Sequence, residues 1–210
     1  MVSMLPSSPL DFSKFYELSD PFATRPLRLT DAGYSECITL DQIKLLSTGQ
    51  LRLDAPLKLG TFQGGQATDI LWSGLVRIIC ISTRVRDMMV EKDVTGWDTY
   101  PVKVHDRQGI PLPAYHGLAV IGGNCRLDIS RSQIVTKPRL VPQGREHEVY
   151  KGLYFYESDW DGSDMFWLGN ARIVVTEKVH RLLKKSRISN VKLIPLTEAE
   201  RDVLLDKYER

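Results

Sequence analysis

Residues 79–102 read ICISTRVRDMMVEKDVTGWDTYPV, and residues 173–196 read IVVTEKVHRLLKKSRISNVKLIPL. The two stretches superpose without a gap at a constant offset of 94. Val85 falls on Val179, Met88 on Leu182, Met89 on Leu183, Val94 on Ile188 and Pro101 on Pro195. Just upstream, at an offset of 95, DILWSG from Asp69 to Gly74 falls on DMFWLG from Asp164 to Gly169. An internal repeat reveals the building plan before any function is guessed. What recurs here is apolar packing and turn chemistry, and none of it is a catalytic set.

Each unit reads as strand, helix, strand. Leu75–Ile81 is a run of β-branched and apolar residues, as a buried strand requires. Ser82 or Thr83 can cap the following helix, where Val85, Met88 and Met89 take i, i+3, i+4 spacing on one face. Gly96 is expected to end it, and Trp97–Val104 alternates as a second strand. The second unit repeats this with Arg172–Val175, a cap at Thr176, a helix bearing Val179, Leu182 and Leu183, a stop at Asn190, and Val191–Leu196. Gly96 facing Asn190 is consistent, because both residue types tolerate the left-handed conformation that closes helices. Each unit is expected to place two roughly parallel strands in a sheet with its helix on one face.

Outside the units, Thr39-Leu-Asp-Gln42 has capping-box form and predicts a helix to about Leu46. Gln50–Leu59 alternates, with Pro56 limiting it to an edge or bent strand. A short helix is expected near Phe12–Leu18. Leu118–Ile121 and Arg126–Ile134 read as antiparallel strands about Gly122-Gly123-Asn124, followed by a loop over Lys137–Arg145. Thr197-Glu-Ala-Glu200 has capping-box form again and predicts a C-terminal helix to Tyr208. The fold class expected is α/β or α+β: one compact domain with a duplicated strand–helix–strand unit around a mixed sheet. Residues 1–68 would be an irregular wrapping segment with a short helix. Residues 69–210 would be the core, with the units at about 75–104 and 171–196.

A net charge of +2 over 210 residues argues against a general polyanion binder. No apolar run reaches a membrane span, and the first residues lack the pattern of a secretory leader, so a cytoplasmic protein is expected. The three cysteines, Cys37, Cys80 and Cys125, are far apart, which suggests neither a disulfide framework nor a zinc knuckle. Cys80 lies in an apolar run and reads as a buried thiol.

Tyr154–Trp167, YFYESDWDGSDMFW, sets Glu157, Asp159, Asp161 and Asp164 among six aromatic rings. Clustered carboxylates attract calcium, but from Asp159 the glycine falls at loop position four, where an EF-hand needs position six. Asp161-Gly162 is a favoured turn pair. A protein-binding loop is the functional reading: rings supply contact area and acids steer a basic partner. Glu157, Asp159, Trp160, Asp161 and Asp164 are the partner contacts it names. The second unit's helix is basic (Lys178, Arg181, Lys184, Lys185, Arg187, with Glu177), and reads as a solvated face that the acidic loop neutralises. The four histidines show no metal-ligand spacing, and no GxGxxG, P-loop or GxSxG occurs. No cofactor and no metal are expected.

Val175-Thr176, Val179, Leu183, Asn190, Leu193 and Pro195 resemble a signature of a bacterial group. The group includes proteins named for a double CxxCG motif and related immunity proteins of polymorphic toxin systems. The resemblance covers residues 69–196, most clearly 171–196. This chain has no CxxCG pair, so any zinc site that the name implies is missing. The resemblance implies a cytoplasmic, non-enzymatic protein whose partner is a toxin it neutralises, with no catalytic residue carried over. An enzyme with a carboxylate-lined pocket between the two units is the alternative, and a nucleic-acid binder using the basic helix is the weakest reading.

Overall fold

The computed structural model describes residues 9–30, 38–75, 77–139, 145–169 and 172–207. Cys37 and the turn expected at Pro142 and Gly144 lie outside them. In chain order the strands are β1 (Phe15–Ser19), β2 (Arg28–Thr30), β3 (Leu57–Gln63), β4 (Ile70–Ser73), β5 (Ile79–Ser82), β6 (Trp97–His105), β7 (Pro111–Leu112), β8 (Tyr115–Val120), β9 (Asn124–Cys125), β10 (Gln133–Lys137), β11 (His147–Lys151), β12 (Met165–Leu168), β13 (Arg172–Thr176), β14 (Lys192–Pro195) and β15 (Glu200–Asp202). The α-helices are α1 (Leu40–Ser47), α2 (Thr83–Glu91) and α3 (Glu177–Lys185). The class is mixed α/β.

Six strands close into a barrel in the order β3-β2-β4-β5-β8-β6, sealed by a parallel β6–β3 pairing from Leu57↔Val102 to Leu59↔Val104. Closure removes the free edges that an open sheet of these strands would expose. A second sheet runs β14-β1-β13-β12-β9, and a third runs β10-β11-β15. Side chains alternate across each strand, so one strand feeds two cores. In β5, Cys80 faces the barrel interior with Leu29, Leu59, Leu71 and Tyr100, while α1 adds Ile43 and Leu46 to that core. Ile79 and Ile81 face the other way, into a core shared with Met165, Trp167, Ile173 and Val175 of the second sheet. Both α2 (Val85, Met89) and α3 (Val179, Leu183) pack into this shared core. The far face of the second sheet buries Phe12, Phe15, Phe155, Phe166 and Val174.

The pairings of the two matched stretches coincide. Leu71↔Cys80, Cys80↔Gly117 and Gly117↔Tyr100 run across four strands. Phe166↔Val174, Val174↔Glu17 and Glu17↔Ile194 do the same. Cys80 and Val174, and Tyr100 and Ile194, are each 94 residues apart. The flanking strands β5 and β6 are parallel but not adjacent, because β8 lies antiparallel between them; β1 likewise separates β13 from β14.

Both helices end in the same Schellman turn. Val94 N bonds Met89 O and Asp93 N bonds Val90 O; Ile188 N bonds Leu183 O and Arg187 N bonds Lys184 O. The left-handed residues are Asp93 (φ 47°) and Arg187 (φ 51°). The helix stops therefore sit three residues before the expected Gly96 and Asn190. Gly96 (φ 82°) instead allows a close approach: a Cβ there would lie 2.1 Å from the Met165 carbonyl oxygen.

Several expectations are corrected. Residues 1–68 do not merely wrap the core. They supply β1, an inner strand of the second sheet, and β2 and β3 of the barrel. The helix expected over Phe12–Leu18 is a 3-10 turn at Phe12–Lys14 followed by β1. The strand expected from Gln50 begins only at Leu57, after Pro56. Arg126–Ile134 is not one strand: a 3-10 turn at Ile129–Arg131 precedes β10, which pairs with β11. The C-terminal helix is absent over the described residues. Glu200–Asp202 pairs as β15 with β11, and a 3-10 turn over Val203–Lys207 follows. The capping box at Thr39 is present, with Thr39 and Gln42 bonding reciprocally.

Candidate functional site

The acidic, aromatic segment runs from a 3-10 turn at Glu157–Asp159 into β12, and most of its polar atoms are turned to the protein. Asp159 accepts bonds from Arg126: backbone N at 3.0 Å, Nε at 2.8 Å and Nη2 at 2.9 Å. These donors, the guanidinium foremost, bring its carboxyl down to about 2. Asp161 caps the turn at Ser163 N (2.9 Å) and also accepts from Gly123 N (3.1 Å); the Ser163 bonds hold its carboxyl below the usual range. Trp160 donates Nε1–H to Ser163 O at 3.0 Å and meets Phe15 edge-on at 5.1 Å. Its indole is thus an anchor into the aromatic core. Glu157 accepts from Leu10 N and lies 3.7 Å from Arg131; its side chain is 39% exposed.

Asp164 is the most engaged. It accepts Thr176 Oγ1–H at 2.9 Å, Thr95 N–H at 3.1 Å and Lys178 Nζ at 2.8 Å, while Thr95 Oγ1 accepts its backbone N–H at 3.0 Å. Ninety-five residues earlier, Asp69 does the same. It accepts Ser82 Oγ–H at 3.3 Å, Ser189 N–H at 2.9 Å and Arg84 Nη1 at 3.1 Å, and Ser189 Oγ accepts its N–H at 2.9 Å. Ser189 and Thr95, and Arg84 and Lys178, stand 94 apart. Each aspartate therefore reaches from its own β-hairpin into the loop that follows the other helix. Burial pushes both carboxyls up, yet these donors outweigh it and hold both below the ordinary value. The match of Asp69 with Asp164 is visible in the sequence. That the two act across each other is not, because the offset says nothing about which loop faces which.

All five named residues lie in one short segment, but Asp159, Asp161 and Asp164 spend their charge on backbone and side-chain donors of the fold. Between the two larger sheets, a cleft of about 200 Å³ is lined by Glu17, Asp20, Trp72, Arg77, Trp167 and Arg172 among others. The Arg77 guanidinium stacks 4.4 Å above the Trp167 ring. Glu17 pairs with Arg172 and Asp20 with Arg28.

Two cysteines and two histidines sit away from this segment or behind it. Cys80 is fully buried and its thiol is pushed up to about 12; burial, with Asp159 and Asp161 nearby, does the same to Cys125. His116 contacts Thr83 Oγ1 (2.9 Å) and Arg86 (3.2 Å), and burial followed by Arg86 lowers its pKa. His180 stacks flat on Tyr16 at 3.9 Å, and burial followed by Lys184 lowers its pKa. Among the described residues, no group of three or more His, Cys, Asp or Glu gathers as metal ligands would. No helix is long and apolar enough to cross a membrane. Comparison with protein-family models gives no match for this chain, and comparison with curated proteins gives none either.

Proposed function

We propose that this is a non-enzymatic protein-binding protein, built on a duplicated strand–helix–strand unit, that acts as an immunity protein neutralising a cognate bacterial toxin. The observation that carries the reading is how the carboxylates are used. Asp69, Asp159, Asp161 and Asp164 are all held below their ordinary pKa by donors of the fold. A group so stabilised as an anion is a poor general acid at neutral pH, whereas catalytic carboxyls are commonly raised. The acids serve a rigid scaffold, which suits recognition by surface. Within the acidic segment, Asp159, Asp161 and Asp164 shape the loop, while Glu157 and the exposed Tyr156 are its outward groups. The coincident strand pairings and the exchanged Asp69 and Asp164 contacts favour duplication as the origin of the two units.

The enzyme alternative would use the cleft at Trp72 and Trp167. Its carboxylates, Glu17 and Asp20, each face an arginine, an arrangement that suits binding better than proton transfer.

The test is affinity capture with the tagged full chain from lysate of its native source. One dominant, stoichiometric protein that is toxic when expressed alone, and harmless when co-expressed with this chain, is the expected result. Capture of no such protein overturns the reading.

A further inference from the structure

The cations around the end of α3 are not all neutralised by the fold. Lys178 is bound to Asp164, Arg181 to Glu177, and Arg84 to Asp69 and the Ser186 carbonyl. Lys184, Lys185, Arg187 and Lys192 are exposed, and among the described residues they form no ion pair. The acidic segment, expected to balance this helix, supplies it with Asp164 alone.

The matched positions 94 residues earlier hold Val90, Glu91, Asp93 and Asp98. There the same helix, the same Schellman turn and the same following strand form without a cation at any of the four places. The architecture therefore does not require a positive charge at any of these four places; the one cation at the end of α2 is Lys92 at the C-cap, where α3 has Ser186.

We propose that the end of α3 and the start of β14, with Lys184, Lys185, Arg187 and Lys192, form a docking surface for an acidic protein segment. This rests on the protein-binding reading and names the chemistry of the partner. Leu182, Val191 and Leu193 are half-buried beside the four cations. These side chains pack against the shared core, so what the surface offers a partner is charge complementarity, which governs association and specificity. Nucleic acid fits less well. Tyr16 is already covered by His180, and Trp72 packs against the shared core with its Nε1–H on the Asn190 carbonyl, so neither ring is free for base stacking.

The test grafts the matched residues, Lys184→Val, Lys185→Glu, Arg187→Asp and Lys192→Asp, into the full chain. A milder variant, Lys185→Glu with Lys192→Asp, covers a failure of the graft to fold, and melting curves check both. The probes are a labelled peptide alternating Glu and Leu and a single-stranded DNA oligonucleotide of equal charge, read by fluorescence anisotropy. The wild type should bind the peptide, more weakly as salt rises from about 50 to 200 mM. The graft should lose about tenfold in affinity or more. Equal peptide binding by wild type and variants, no peptide binding at all, or tighter binding of the oligonucleotide overturns the proposal. If the captured toxin-like partner binds the folded graft as well as the wild type, this surface is wrong while the immunity reading stands. If no protein is captured but peptide binding follows the graft, the immunity reading fails and the acidic-segment surface stands.

Discussion

Tyr100 places a phenol hydroxyl inside the barrel with no hydrogen-bond partner among the described residues, although the residue is only 6% exposed. Its ring lies over Gly117, where a Cβ would come within 2.0 Å of the ring. An unpaired buried hydroxyl costs about 1–3 kcal/mol, so Tyr100→Phe should leave stability unchanged or raise it by about 1 kcal/mol in urea unfolding. Gly117→Ala should do the reverse and cost about 1–3 kcal/mol or more, since the ring has nowhere to move. The aspartates act at this scale too. Their folded pKa values lie below the ordinary 3.8, so the stability they lend is present above about pH 4. It is lost as pH falls from there toward 2. An acid titration followed by circular dichroism should show the decline in that window. Asp164→Asn should weaken it and cost about 1–3 kcal/mol at neutral pH, because the donors on Thr176, Thr95 and Lys178 lose an anionic acceptor. The sequence made these acids conspicuous but not their direction. Carboxylates among aromatics look outward-facing until the facing N–H groups of Gly123, Thr95 and Arg126, from distant parts of the chain, are in place.

The helices and turns were legible where their signals are local. Thr39 and Gln42 sit three residues apart and form their box without help from elsewhere. Thr197 and Glu200 have the same form and fail, because Glu200–Asp202 is captured by the open edge of β11 and its neighbours Leu196 and Ala199 are buried. Strand pairing overrides local propensity there. Phe12, Phe15 and Leu18 fall at helical spacing, but β1 buries both its faces and so shows no clean alternation. Phe15 enters the aromatic core, while Tyr16 and Leu18 enter the shared one. The helix stops carry a prediction of their own. Asp93 and Arg187 take left-handed backbone without being glycine. Asp93→Gly should stabilise by about 0.5–1 kcal/mol, as should Arg187→Gly, measured by thermal unfolding.

At the scale of the whole molecule, the shared core joins the barrel to the second sheet. It draws Ile70, Ile81, Val85 and Leu118 from one side and Trp167, Val175, Val179 and Leu18 from the other. Neither side can bury these residues alone, so the chain should unfold as one unit. Tryptophan fluorescence and far-ultraviolet circular dichroism should give coincident denaturant midpoints; two separated transitions would contradict a common core. The matched stretches of the sequence pointed to two strand–helix–strand segments. The long-range pairings that slot β8 between β5 and β6, and β1 between β13 and β14, left no mark in it, because β1 and β8 share no periodic pattern with their new neighbours.

The position of β1 also has a consequence for biosynthesis. Tyr16 leaves the ribosome well before its partner Pro195, which is made 179 residues later. At about 5–20 residues per second, the delay is on the order of 10–35 seconds. For most of it, until β13 is made, Phe15 and Leu18 have no sheet to enter. β1 is therefore placed long after it is translated, and a nascent chain of this protein carries an unsatisfied apolar segment until β13 and β14 have been made.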